Sequence, residues 1–125
     1  MAKLFTKDQL PHFNSTRDTR DRLDLVTENV PVGATRLRAD RIIYHPGDTT
    51  ASHYHIGSCQ VFVILEGEGL LHTPVGSHRL KPGMTAIVAP EETHTFENDT
   101  ATNFKFVEFW APLPEKTVWI VEDDI

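Results

Sequence analysis

From residue 35 onward the chain is cut into runs too short for helices. The cuts fall at Pro46-Gly47, the EGEG run from Glu66 to Gly69, Pro74 to Gly76, Pro82-Gly83, Ala89-Pro90 and Asn98-Asp99. Between them, apolar or alternating stretches place strands near 35–44, 51–55, 59–65, 69–73, 77–80, 85–88, 93–97, 102–110 and 117–121. Many short strands, glycine and proline turns and no long helix define an all-β sandwich or barrel. Closing the sheets would also remove exposed strand edges. A chain of 125 residues is one domain by length. We divide it into an arm, residues 1–34, and a β-barrel domain, residues 35–125. Within the arm, residues 14–29 are dense in charge and poor in core residues. They read as a surface arm, with at most a short helix, leading into the first strand.

Composition excludes several classes. Hydrophobic residues make up 39%, and no apolar run nears the roughly 20 residues of a membrane helix. MAKLFTKDQL lacks the apolar segment of a secretory signal, so a soluble, cytoplasmic protein is expected. A formal net charge of −6 argues against nucleic acid as a partner, because phosphate binding needs a basic surface. With Cys59 as its one cysteine, the chain has no internal disulfide and no cysteine zinc cluster. Seven histidines are many for this size, and their positions decide what they mean.

Strand alternation assigns faces. In QVFVILEG, Gln60, Phe62 and Ile64 share one face, and Val61, Val63 and Leu65 the other. In NFKFVEFWAP, Phe104, Phe106, Glu108 and Trp110 share a face, which sets one acid in an aromatic row. His53 and His55 stand on one side of a strand, about 7 Å apart at the backbone. Two imidazoles so placed converge on one ion, each nitrogen at about 2.0–2.1 Å, and they then need further ligands. Gln60 opens the next strand, and a barrel can bring His94 alongside. The alternative is four ordinary strand polars.

At this point the spacing becomes recognisable. Gly47, His53, His55, Gln60 and Gly67 resemble the first cupin motif, with Gln60 where glutamate is usual. Gly83, Pro90, His94 and Asn98 resemble the second, with the proline displaced by one and Glu91 in place of the inner glycine. The resemblance spans about residues 35–112. It implies a cupin-type jelly-roll β-barrel, commonly a homodimer, with one divalent transition metal (zinc, manganese, iron, nickel or copper) in its mouth. The ligands it implies are His53, His55, Gln60 and His94. For the dimer, the apolar run of Val118, Trp119 and Ile120 and the core-poor arm agree with exchange or packing of terminal strands. His72, on a hairpin, is a weaker candidate for lining the cavity, and His12, His45 and His78 read as surface or turn residues.

An amide in place of a carboxylate leaves the site at +2, which weakens metal affinity and strengthens the Lewis acid. The His-His-Gln-His set is similar to that of small cupins that linearise 4,5-unsaturated uronates. That family's late Asp-x-Phe-x-Pro-x-Arg run reads EFWAPLP here, residues 108–114. Glu108 takes the aspartate's place, Trp110 the phenylalanine's, and Pro114 stands where the arginine would be. Glu108 is the candidate general acid/base, because burial among aromatics raises a carboxyl's pKa. Phe62, Phe104, Phe106, Trp110, Tyr44 and Arg36 are the candidate substrate contacts.

Three functions are compatible with these residues. The first is Lewis-acid isomerase or lyase chemistry on a small oxygen-rich substrate. The second is an iron or copper dioxygenase using O2, and the third a non-catalytic small-molecule-binding cupin. Oxygen uptake with candidate substrates separates the second from the first.

Overall fold

The computed structural model describes residues 4–14, 20–26, 38–111 and 116–120. Among the described residues eleven strands follow one another: β1 His12–Asn14, β2 Asp21–Val26, β3 Arg38–Tyr44, β4 His53–Ile56, β5 Cys59–Glu66, β6 Gly69–Thr73, β7 Gly76–Leu80, β8 Thr85–Val88, β9 Thr95–Glu97, β10 Phe104–Ala111 and β11 Lys116–Trp119. One layer is a six-stranded sheet in the order β1-β2-β3-β10-β5-β8. The other is built from the pair β11-β4 and the triplet β7-β6-β9. Isolated bridges Thr49↔Glu97 and His53↔His94 tie these two pieces together. The result is the expected all-β jelly roll, as two facing layers that are not hydrogen-bonded into a closed barrel.

The core lies where the inward rows of both layers meet. Ile42, Tyr44, Phe62, Ile64, Phe104 and Phe106 come from the large sheet, and Leu71 and Phe96 from the facing one. Phe62 meets Phe96 edge-on at 4.7 Å and Phe106 at 5.5 Å between ring centroids. Such pairs add about 0.5–1.5 kcal/mol beyond the area they bury. Asn98, fully buried, closes the loop into β10. Its amide donates to the carbonyls of Tyr44 (2.9 Å) and Thr102 (2.8 Å), and its oxygen accepts from the Thr100 N–H (2.9 Å) and hydroxyl (2.7 Å). At Gly67, with φ +69°, an added Cβ would lie 2.0 Å from the Asn103 carbonyl oxygen. Only glycine therefore lets the β5–β6 turn meet the start of β10.

The arm differs from its expectation. Residues 21–26, read as part of a surface arm, form β2, between β1 and β3 in the large sheet. No helix lies in that segment among the described residues; a single 3-10 turn, Lys7–Gln9, sits upstream. The reason is chemical. The buried or half-buried residues of β2 include Arg22 and Asp24 as well as Leu23, so the strand shows no apolar alternation. The C-terminal strand expected near 117–121 is present. Lys116 to Trp119 pairs antiparallel with β4 of the same chain. No described helix is long and apolar enough to cross a membrane.

Candidate metal centre

β4 is four residues long and buries alternate side chains. His53 and His55 therefore both point inward, and Tyr54 lies between them on the other side. His94 precedes β9, and its backbone exchanges two hydrogen bonds with His53, N–H to O at 3.2 and 2.8 Å. Three ring nitrogens, one from each histidine, all lie within 4.8 Å of one another.

The outer nitrogens hold the rings in place. His53 Nδ1 donates to the Ala51 carbonyl (2.8 Å), and His94 Nδ1 to the Glu92 carbonyl (3.0 Å). Carbonyls only accept, so Nδ1 carries the proton in both rings, and Nε2 keeps its lone pair. His55 Nδ1 meets the Thr117 hydroxyl at 2.9 Å. Nε2 of His55 and His94 and Oε1 of Gln60 are buried with no hydrogen-bond partner. Orphaned buried acceptors cost free energy unless something pairs with them. Three neutral imidazoles and an amide oxygen fit a first-row divalent cation.

Protonation is disfavoured at the same place. Burial, reinforced by the neighbouring His94, pushes the pKa of His53 down to about 3. The same causes push His55 down to about 4, with the Gln60 side chain acting in the opposite direction. Burial also lowers His94.

Gln60 opens β5, opposite Trp110 of β10. Its Nε2 donates to Glu108 Oε2 at 2.5 Å. The amide is thereby oriented: nitrogen to the acid, oxygen free. Glu108 also receives Arg20 Nη1 at 3.3 Å. Burial drives the Glu108 carboxyl pKa up, while Arg20, Arg38 and the Gln60 amide pull it down.

Beyond Glu108 stands a wall of charge. Asp40, fully buried, lies across from Glu108 in the β3–β10 register, and Asp24 across from Asp40 in β2–β3. Arg22 Nε is 2.9 Å from Asp24 Oδ1, and Arg38 Nε 3.4 Å from Asp40 Oδ2. Burial, then repulsion from Glu108, raises the Asp40 pKa to about 8, against the pull of Arg38. Histidines, carboxyls and arginines all line one cavity of about 210 Å³. That is below the roughly 300 Å³ at which ordinary ligand pockets begin, so it selects small molecules.

Most expected site residues converge there. His53, His55, Gln60, His94 and Glu108 line the cavity, as do Tyr44, Phe62 and Trp110. Phe104 and Phe106, expected as substrate contacts, are not on its wall. From Glu108, Phe106 lies one inward step deeper and Phe104 two, both fully buried in the aromatic core. Arg36 lies outside the described residues. His72 is not at the cavity; its ring is held by Ser77 Oγ (2.6 Å) and Glu97 Oε1 (2.9 Å).

Sequence reasoning missed Arg20, Arg22, Arg38, Asp40, Thr117 and Trp119, all on the cavity wall. Arg38 and Asp40 share the inward phase of Tyr44 on β3, so alternation alone contained that signal. Thr117 and Trp119 share a phase on β11, and the Trp119 ring lies 4.5 Å from that of His53. Nothing local shows that β11 pairs with β4.

A model of the cupin domain matches residues 40–110, more than half of the chain. The oxalate-binding protein of Thermotoga maritima is 24% identical over 102 residues, 82% of this chain and 84% of that protein. A 58-residue stretch is 40% identical to auxin-binding protein T85 of Nicotiana tabacum. That stretch spans 46% of this chain but only 27% of the tobacco protein. The structure of a polyketide cyclase from Streptomyces resistomycificus superposes with a TM-score of 0.84 at 17% identity, covering 99% of this chain and 89% of that one. Both motif-like spacings fall within the matched span, and three histidines from that span converge in the structure: the chain belongs to the cupin family.

Proposed function

We propose that the protein is a mononuclear metal enzyme acting on a small oxygen-rich molecule by isomerase- or lyase-type chemistry. His53, His55, His94 and the Gln60 oxygen would hold the ion. A divalent ion there supplies a Lewis acid that stabilises negative charge developing on a substrate oxygen. The observation that carries the reading is the Gln60 amide. It joins the cation cradle to Glu108 through one 2.5 Å hydrogen bond, with its oxygen left over.

Glu108 is the group that moves a proton. It is almost fully buried, and its oxygens are held by Gln60 and Arg20, so the carboxyl is fixed in position before substrate arrives. Phe62 and Trp110 wall the site against water, which strengthens each electrostatic contact inside it. A base hydrogen-bonded to a residue of the cradle suits removal of a proton next to a carbonyl and its return elsewhere. Two of the similar proteins are named for oxalate binding and for polyketide cyclisation, and we take these names as support for an oxygen-rich substrate class.

Deuterium exchange tests the reading without the natural substrate. Zinc-loaded protein is incubated in D2O with small carbonyl compounds, and label next to the carbonyl is followed by proton NMR. The expected result is exchange under nitrogen that falls at least about a hundredfold in Glu108→Gln, within the usual range for a lost general base. Turnover that requires O2, with no exchange in its absence, contradicts it and selects the dioxygenase.

A further inference from the structure

The uronate-linearising pattern places an arginine late in the chain, and here that position holds Pro114. The cavity nevertheless contains guanidinium groups, delivered from the opposite end of the sequence. Arg20 and Arg22 come from β2 and the residue before it, and Arg38 opens β3. Their side chains are 17%, 27% and 34% exposed, against 3% for Glu108 and none for Asp40. The arginines therefore form the outer rim of the cavity and the acids its floor.

Two more observations bear on this rim. The Arg38 guanidinium lies over the Trp110 ring, 5.0 Å from its centroid. A guanidinium over an indole face at that distance is attracted to the ring and keeps its hydrogen-bond donors for other partners. The Trp110 indole Nε1, a pure donor, is buried with no acceptor, although the residue is only 6% exposed. A buried donor without a partner marks a place for an incoming oxygen. Arg38 approaches Asp40 with its Nε at 3.4 Å, and the two terminal nitrogens of a guanidinium are the pair suited to a bidentate carboxylate contact.

We propose that the substrate is a small organic carboxylate, and that Arg38, Arg20 and the Trp110 indole N–H receive its carboxylate at the rim while a second oxygen reaches the histidines. The inference deepens the function proposed above, and it rests on that reading only for the second oxygen. Donor count favours an anion over a neutral sugar. An arginine at the rim cannot lose its charge, and among the described residues Arg20, Arg22 and Arg38 face only two carboxyls, Asp40 and Glu108, on the cavity lining, so the wall presents net positive charge to the cavity. The small volume favours a molecule of malonate's size over a sugar chain.

Both tryptophans of the chain, Trp110 and Trp119, line the cavity, so intrinsic fluorescence reports on its occupant. Malonate and its neutral diamide, malonamide, are titrated into metal-free and zinc-loaded protein. Malonate is expected to bind both forms, more tightly with zinc, and at least tenfold better than malonamide. Arg38→Gln is expected to weaken malonate at least tenfold in both forms while zinc affinity changes less than twofold. Arg38→Lys, which keeps charge but not the fork, falls between. Arg20→Gln repeats the loss if Arg38→Gln perturbs folding. Equal binding of malonate and malonamide, or malonate affinity unchanged in both arginine variants, overturns the carboxylate subsite. If zinc does not bind but malonate still does, in an arginine-dependent way, the subsite stands and the metal reading falls.

Discussion

The two ends of the sandwich are built from the same strands and do opposite things. Each inward row changes character at one level. β10 runs Phe104, Phe106, then Glu108 and Trp110; β5 runs Ile64, Phe62, then Gln60; β3 runs Tyr44, Ile42, then Asp40 and Arg38. At one end aromatic rings interlock around Tyr44 and Phe106, and the buried Asn98 amide there is fully hydrogen-bonded. At the other, imidazole nitrogens, an amide oxygen and an indole N–H are buried without partners. The difference shows where the molecule spends its stability. The apolar end supplies it, about 1.5–3 kcal/mol per large buried side chain, and the polar end consumes part of it to keep a site prepared.

Substitutions at the two ends should therefore separate cleanly. The largest effect belongs to the core end. Phe106→Ala removes a fully buried ring that stacks on Phe96 and Tyr44, and urea unfolding should show a loss of about 3–5 kcal/mol. A loss under 1 kcal/mol would mean that this row is not the core.

Next comes Asp40, whose effect is a slope. Its carboxyl titrates at 3.8 when unfolded and near 8 when folded, so between those values the folded state holds the extra proton. Stability from this group is full below pH 3.8 and is lost as pH rises towards 8. The histidines act in the other direction, but only below their unfolded value of 6.5. From pH 6.5 to 8 the wild type should thus lose on the order of 2 kcal/mol. Asp40→Asn should show a clearly shallower slope over that range, as thermal melts at the two pH values would show. Parallel slopes for both proteins would place the proton elsewhere.

Thr117→Val is subtler. It removes the hydroxyl that meets His55 Nδ1 and keeps the shape. Zinc affinity, measured by competition with a chromophoric chelator, should fall about tenfold while the melting curve barely moves. An unchanged affinity would show that β11 plays no part in holding His55.

The smallest change concerns Glu91. It stands where the cupin motif has glycine, and it adopts φ +64°, the left-handed region that glycine favours. Its N–H donates to the His55 carbonyl at 2.7 Å, so the turn is fixed against β4 despite the strain. Glu91→Gly should add roughly 1 kcal/mol of stability with no change in metal affinity.

The polar end was half legible in the sequence. His53, His55 and Gln60 follow from strand alternation, Glu108 from its place in an aromatic row, and His94 from motif spacing. Arg38 and Asp40 obey the same alternation, yet a charge at an inward position reads as solvent-exposed until its partner is known. β2 was illegible for that reason: its arginine and aspartate face a charged wall, and hydrophobic periodicity cannot report a polar interior. The contact of β11 with β4 joins residues some 60 positions apart, and no local pattern encodes it. Phe104 and Phe106 show the converse. Alternation gave their side correctly, but depth along the row, which divides core from cavity, is set by the facing layer.

Elemental analysis of purified protein after zinc loading and desalting, run beside His94→Ala, bears most directly on the prepared site. One ion per chain in the wild type and none retained in the variant is the expected result. A wild-type chain that keeps no ion, or a variant that keeps the same amount, would leave the three convergent imidazoles without the role assigned to them.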